Sequence, residues 1–156
     1  MKKYILGWVL LFSTSALVAQ SVEELWTGKT ELSKVHDTFD WYQQGFAEYA
    51  PDTTIITKIS DNLNGYTFLI FAGTWCGDTK YLLPKFSKVL NMSGVSDEKV
   101  TLYLLDFRLK SPEKLEKKYK IKSIPTFVII KDGKETGRIV ESVNEPVEKV
   151  LYDILK

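Results

Sequence analysis

Residues 71–80 read FAGTWCGDTK and hold Cys76, the one cysteine of the 156-residue chain. An apolar, β-rich run, YTFLIFAG at 66–73, precedes it, and a helical pattern, DTKYLLPKFSKVLNM, follows. Cys76 therefore falls where a buried strand ends and a helix begins. The unpaired N–H groups and partial positive charge of a helix amino end favour thiolate over thiol. A thiolate attacks disulfide sulfur and forms a mixed disulfide. Gly77 keeps bulk away from the sulfur and lets another chain approach. Asp78 opposes ionisation by placing a second negative charge nearby, although it also suits the first turn of a helix. Lys80 either offsets that charge or is solvated surface. Thr79 has no sulfur, and its hydroxyl can at most hydrogen-bond Cys76. An internal disulfide is excluded, so any thiol chemistry here uses one sulfur.

Other chemistries find little support. His36 is the single histidine and lies in a helical pattern far from Cys76 along the chain, so a Cys–His dyad would need special packing. One cysteine and one histidine are too few for a zinc cluster, and no glycine-rich phosphate loop occurs. The formal net charge is +1, and gives no reason to expect a nucleic-acid partner. The basic stretch KLEKKYK at 114–120 reads as a solvated helix face. No cofactor is implied, and no metal site.

The elements that must position Cys76 can be read from periodicity. With 44% hydrophobic and 26% charged residues, the composition suits one globular domain. Residues 1–20 have the order of a secretory signal peptide: Lys2 and Lys3, an apolar middle, then small residues up to Ala19. The apolar run is short for a membrane span, which favours cleavage over anchoring. Residues 21–64 read as a helical N-terminal extension. Leu32, Val35, Phe39, Tyr42, Phe46 and Tyr49 form one face of a helix that Pro51 breaks. A second helix follows, capped by Asp52. Residues 65–156 alternate strand, helix, strand, helix, strand, strand, helix. Strands are expected at 66–73 and 99–107, with a hairpin around Asp132-Gly133. Pro84 falls inside the helix after Cys76 and should kink it. Ser111 and Pro112 are expected to open the next helix and Asn144 to cap the last. The result is an α/β fold, a mixed sheet flanked by helices.

From about residue 66 to the end, the sequence resembles the thioredoxin family. WCGDTK stands where that family has W-C-G-P-C-K, Pro84 matches the proline in the helix that follows, and SIPTF at 123–127 matches the cis-proline loop. The resemblance implies a thioredoxin-like fold in which Ile124-Pro125 is cis and lies beside Cys76. It makes Cys76 the nucleophile, Trp75 an exposed aromatic flanking the sulfur, and the Ile124–Pro125 backbone the place where an extended substrate peptide pairs. The departures are specific. Asp78 and Thr79 replace the family's proline and second cysteine, and Ile70 stands where the family has a buried acid. Losing the acid along with the second sulfur is coherent, since nothing is left for it to deprotonate. Glu141 replaces a late glycine, so that its carboxylate either faces the rim of the site or marks an exposed strand end.

Two functional readings follow. One is an exported, periplasmic or secreted monothiol thiol–disulfide oxidoreductase. Its partners would be proteins bearing thiols or disulfides, and an external thiol, small or protein-borne, would resolve the mixed disulfide. The other is a redox-inactive module that docks a protein or peptide in the groove around Trp75 and Pro125. The intact W-C-G favours the first. A dimer bridged through Cys76 is a weaker third option.

Overall fold

The computed structural model describes residues 26–156, except 142; the expected leader over 1–20 lies outside the described residues. In chain order the elements are β1 (Gly28–Thr30), α1 (Leu32–Thr38), α2 (Asp40–Glu48), α3 (Thr53–Asp61), β2 (Tyr66–Ala72), α4 (Gly77–Met92), β3 (Val100–Leu104), α5 (Leu115–Lys118), β4 (Thr126–Lys131), β5 (Lys134–Val140) and α6 (Val147–Leu155). The five strands form one sheet in the order β1-β3-β2-β4-β5. β2 and β3 are parallel, joined through α4, and the other neighbours are antiparallel. This is the expected mixed sheet flanked by helices.

β2 is apolar nearly throughout because both faces of the sheet are covered. Phe68, Ile70 and Ala72 point into a core shared with α2, α3, α4 and α6. Their alternates Leu69 and Phe71 point into a second, smaller core with Tyr103, Leu105, Ile124 and Val128. Leu82, Leu83, Phe86, Val89 and Leu90 of α4 are all buried, with the Phe86 ring 4.2 Å from that of Phe127. α4 continues through Pro84. The ring of that proline meets Gly45 of α2 so closely that a Cβ at Gly45 would lie 2.7 Å from Pro84 Cγ. Asp132 and Gly133 both take positive φ, 48° and 78°, as a two-residue hairpin turn between β4 and β5 requires. Asp52 caps α3, its Oδ1 accepting from Thr54 N–H at 2.8 Å and Ile55 N–H at 3.4 Å.

Four local expectations are corrected. Residues 28–30 form a strand, since their backbone pairs with the outer edge of β3. The single helix expected through Leu32 and Tyr49 is two helices. Phe39 is extended between them, and its ring meets those of Trp26 at 5.1 Å and Trp41 at 5.6 Å. Ser111 and Pro112 do not open a helix, because Lys114 is left-handed and α5 starts after it. The Ser111 hydroxyl instead donates to Glu116 Oε2 at 3.0 Å, and Glu113 Oε1 accepts from Lys29 N–H of β1. Finally, the cap position of α6 is Pro146 rather than Asn144. The N-terminal helices contribute Val35, Tyr42, Ile56 and Ile59 to the main core, so they share it with the sheet.

Candidate functional site

β2 ends at Ala72, and a short turn delivers Cys76 to the N-cap position of α4, with φ −85° and ψ 128°. Cys76 N–H donates to Gly73 O at 3.0 Å, and Lys80 N–H donates to Cys76 O at 3.1 Å, which starts the helix. The thiol makes no capping bond to its own helix. It points across to the loop before β4, where it donates to the Ile124 carbonyl oxygen at 3.5 Å. The Ile124–Pro125 peptide bond is cis. Cys76 is half-buried, with Ile124 and Pro125 buried beside it. Among the described residues, Ile124 N–H has no hydrogen-bond partner.

Gly73 is the reason these groups can meet. A Cβ there would lie 2.8 Å from both Ile124 Cδ1 and Trp75 Nε1, so the two side chains close over a bare backbone. Trp75 is half-buried, and its indole N–H donates to Leu105 O at 2.9 Å, beyond the end of β3. Gly77 faces open space, with nothing within 4 Å of where its Cβ would be. Asp78 is exposed in the first turn of α4, and Lys80 is half-buried.

Thr79 is fully buried, and its hydroxyl accepts from Gly73 N–H at 3.3 Å. The hydroxyl thus bonds the turn that presents the sulfur, rather than the sulfur itself. Ile70 is fully buried in the main core, so its position beneath the site holds hydrocarbon. Glu141 reaches the loop through its backbone, its N–H donating to Pro125 O at 2.8 Å, while its side chain is exposed. His36 is not brought to Cys76; its ring lies edge-on to Tyr42 and Phe46, and Nδ1 is 3.1 Å from Asp37 Oδ1.

Sequence reasoning missed Phe107. β3 ends at Leu104, so Phe107 lies in a turn rather than in the strand expected over 99–107. Asp106 Oδ1 accepts from Arg108 N–H and Lys110 N–H, both at 2.8 Å, and Asp106 N–H donates to Lys110 O at 2.9 Å. The turn so fixed sets the Phe107 ring 4.8 Å from that of Trp75. The available signal was one aromatic in the short polar stretch DFRLK.

Comparison with known proteins agrees with this architecture. The sequence model of the thioredoxin family matches residues 54–153. The chain is 27% identical over 122 residues to thioredoxin H2-2 of Oryza sativa subsp. japonica, covering 78% of each chain. It is 28% identical over 94 residues to the protein disulfide-isomerase of Ricinus communis; that match takes in 59% of this chain but only 18% of the isomerase. Among solved structures, a Pseudomonas aeruginosa protein of unknown function superposes with a TM-score of 0.53 at 15% identity, over 75% of this chain and 74% of that one, a likeness of fold alone. Thiol–disulfide exchange with thiol- or disulfide-bearing proteins is the general activity of the matched family. On the sheet order, the turn carrying Cys76 and a match over most of its length, the chain belongs to the thioredoxin family.

Proposed function

We propose that the protein is an exported thiol–disulfide oxidoreductase that works with one sulfur. The observation that carries this reading is the position of the Cys76 thiol: at the amino end of α4, partly open to solvent, and 3.5 Å from the carbonyl just before Pro125. A substrate peptide extended along that loop would pair with the free Ile124 N–H and displace the thiol from the Ile124 carbonyl. The Cys76 thiolate then attacks one sulfur of the substrate disulfide. The substrate S–S bond breaks, its other sulfur leaves with the electron pair, and a Cys76–substrate disulfide forms. Thr79 cannot resolve it, so an external thiolate, from a small thiol or a partner protein, attacks the substrate sulfur; the Cys76–substrate bond breaks, Cys76 leaves as the thiolate, and the substrate sulfur passes into a disulfide with the external thiol. Export rests on the composition of residues 1–20, which fits a cleaved leader and an oxidising destination.

The test is to react the reduced, folded protein with a symmetrical aromatic disulfide and then with protein disulfides. Native Cys76 should form a stable mixed disulfide that persists until a small thiol is added, and Cys76→Ser should form none. If the native thiol stays unreactive while the unfolded chain reacts, the redox reading fails and the docking module takes its place.

A further inference from the structure

The proposed site has one feature that thiol exchange itself does not need. Phe107 is 67% exposed, although it is a large apolar side chain on a turn tied down by four hydrogen bonds, the fourth from Leu109 N–H to Asp106 O. Its ring leans on Trp75 at 4.8 Å with the planes 37° apart. Trp75 is itself pinned to the Leu105 carbonyl and directly precedes Cys76. If Phe107 served only to cover Trp75, packing would bury it; instead, most of the ring faces water. Two rigid aromatic rings side by side offer a platform with little conformational entropy to lose on binding. Trp75 directly precedes Cys76, and both pack against the buried cluster that contains Ile124, so the aromatic pair adjoins the reacting sulfur.

We infer that Phe107 is a specificity-determining residue, and that the site selects peptides carrying an aromatic or large aliphatic side chain beside the reacting sulfur. This rests on the proposed thiol–disulfide exchange and adds a substrate class to it. The incoming side chain packs on the open face of the Phe107–Trp75 pair while the peptide backbone lies along the loop before β4. Arg108, next in the turn, is exposed, and its backbone N–H donates to Asp106 Oδ1, which helps to hold the turn that carries Phe107.

The experiment uses the full chain and two peptides identical except for phenylalanine or serine next to the cysteine. Each cysteine is held in a mixed disulfide with thionitrobenzoate. Attack by Cys76 on the peptide sulfur breaks that bond and releases coloured thionitrobenzoate with the electron pair. The quantity read is the ratio of the two rates, in which any general change in Cys76 reactivity cancels. The wild type should prefer the phenylalanine peptide about fivefold to tenfold, the range expected for one aromatic contact. Phe107→Ser should bring the ratio to about one, and Phe107→Leu should leave it between the two. A wild type with no preference, or a preference that survives Phe107→Ser, overturns the inference while leaving the exchange reaction in place. If Cys76 reacts with neither peptide, the redox reading fails separately. Calorimetric binding of the same peptides, reduced, to Cys76→Ser with and without Phe107→Ser then decides the selector: an aromatic preference lost with Phe107 supports it, and equal affinities overturn it.

Discussion

At the scale of single residues, the site depends on a position with no side chain. Gly73→Ala would put a methyl group 2.8 Å from the Trp75 indole nitrogen and from Ile124 Cδ1. The isoleucine tip can swing aside, but the indole is held by Leu105 O. The substitution should destabilise the fold by about 1–3 kcal/mol, the usual cost of overpacking. It should also slow exchange at Cys76, because the thiol and the Ile124 carbonyl would no longer sit at the same spacing. Urea denaturation and the rate with a small disulfide measure the two effects. Cys76 and Pro125 were legible in the sequence because their chemistry is in the residue type. Gly73 and Phe107 were not, because what they do depends on side chains that the fold brings from other elements.

At the scale of elements, α6 is tied to the N-terminal helices by one buried carboxylate. Glu148 is 3% exposed; its Oε2 accepts from Tyr49 O–H at 2.5 Å and its Oε1 from Asp52 N–H at 3.0 Å. The Tyr49 hydroxyl is held protonated well above the ordinary tyrosine range, first by burial and then by its bond to Glu148. Glu148→Ala would leave the Asp52 amide and Tyr49 hydroxyl without this acceptor, and should cost about 1–3 kcal/mol in equilibrium unfolding. Tyr49→Phe removes one of the two bonds and should cost less. The long amphipathic elements α3, α4 and α6 were legible because each keeps an apolar stripe over several turns. β1 was not, as three residues carry no period; α5 was legible as a helix, but its start was set too early because Lys114 takes a left-handed conformation. The break at Phe39 was hidden for a different reason: helical spacing continues across it, and only the rings of Trp26 and Trp41 explain why the chain turns there.

At the scale of the whole molecule, stability should fall in alkali. Tyr42 is 2% exposed in the main core. Burial, with a smaller contribution from Asp97, pushes its hydroxyl up to about 12, although the neighbouring Ser87 hydroxyl works the other way. The unfolded chain ionises this tyrosine from about pH 10, whereas the folded chain keeps the proton. Its contribution is therefore complete below pH 10 and declines as pH rises toward 12, by about 1.4 kcal/mol per pH unit for one proton. Unfolding free energies measured across that window should show the decline, and Tyr42→Phe should flatten it in part; Tyr49 and Tyr103 shift in the same direction and account for a remainder. The sheet is protected by its smallest member. β1 covers the outer backbone of β3 at Leu102, Tyr103 and Leu104, although the region matched to the family starts only at residue 54. A chain trimmed to that region would bare a row of unsatisfied amides and carbonyls on β3, a ready template for a strand from another copy. Gly28–Thr30 thus leaves only a three-residue edge on that side of the sheet, a task separate from anything Cys76 does.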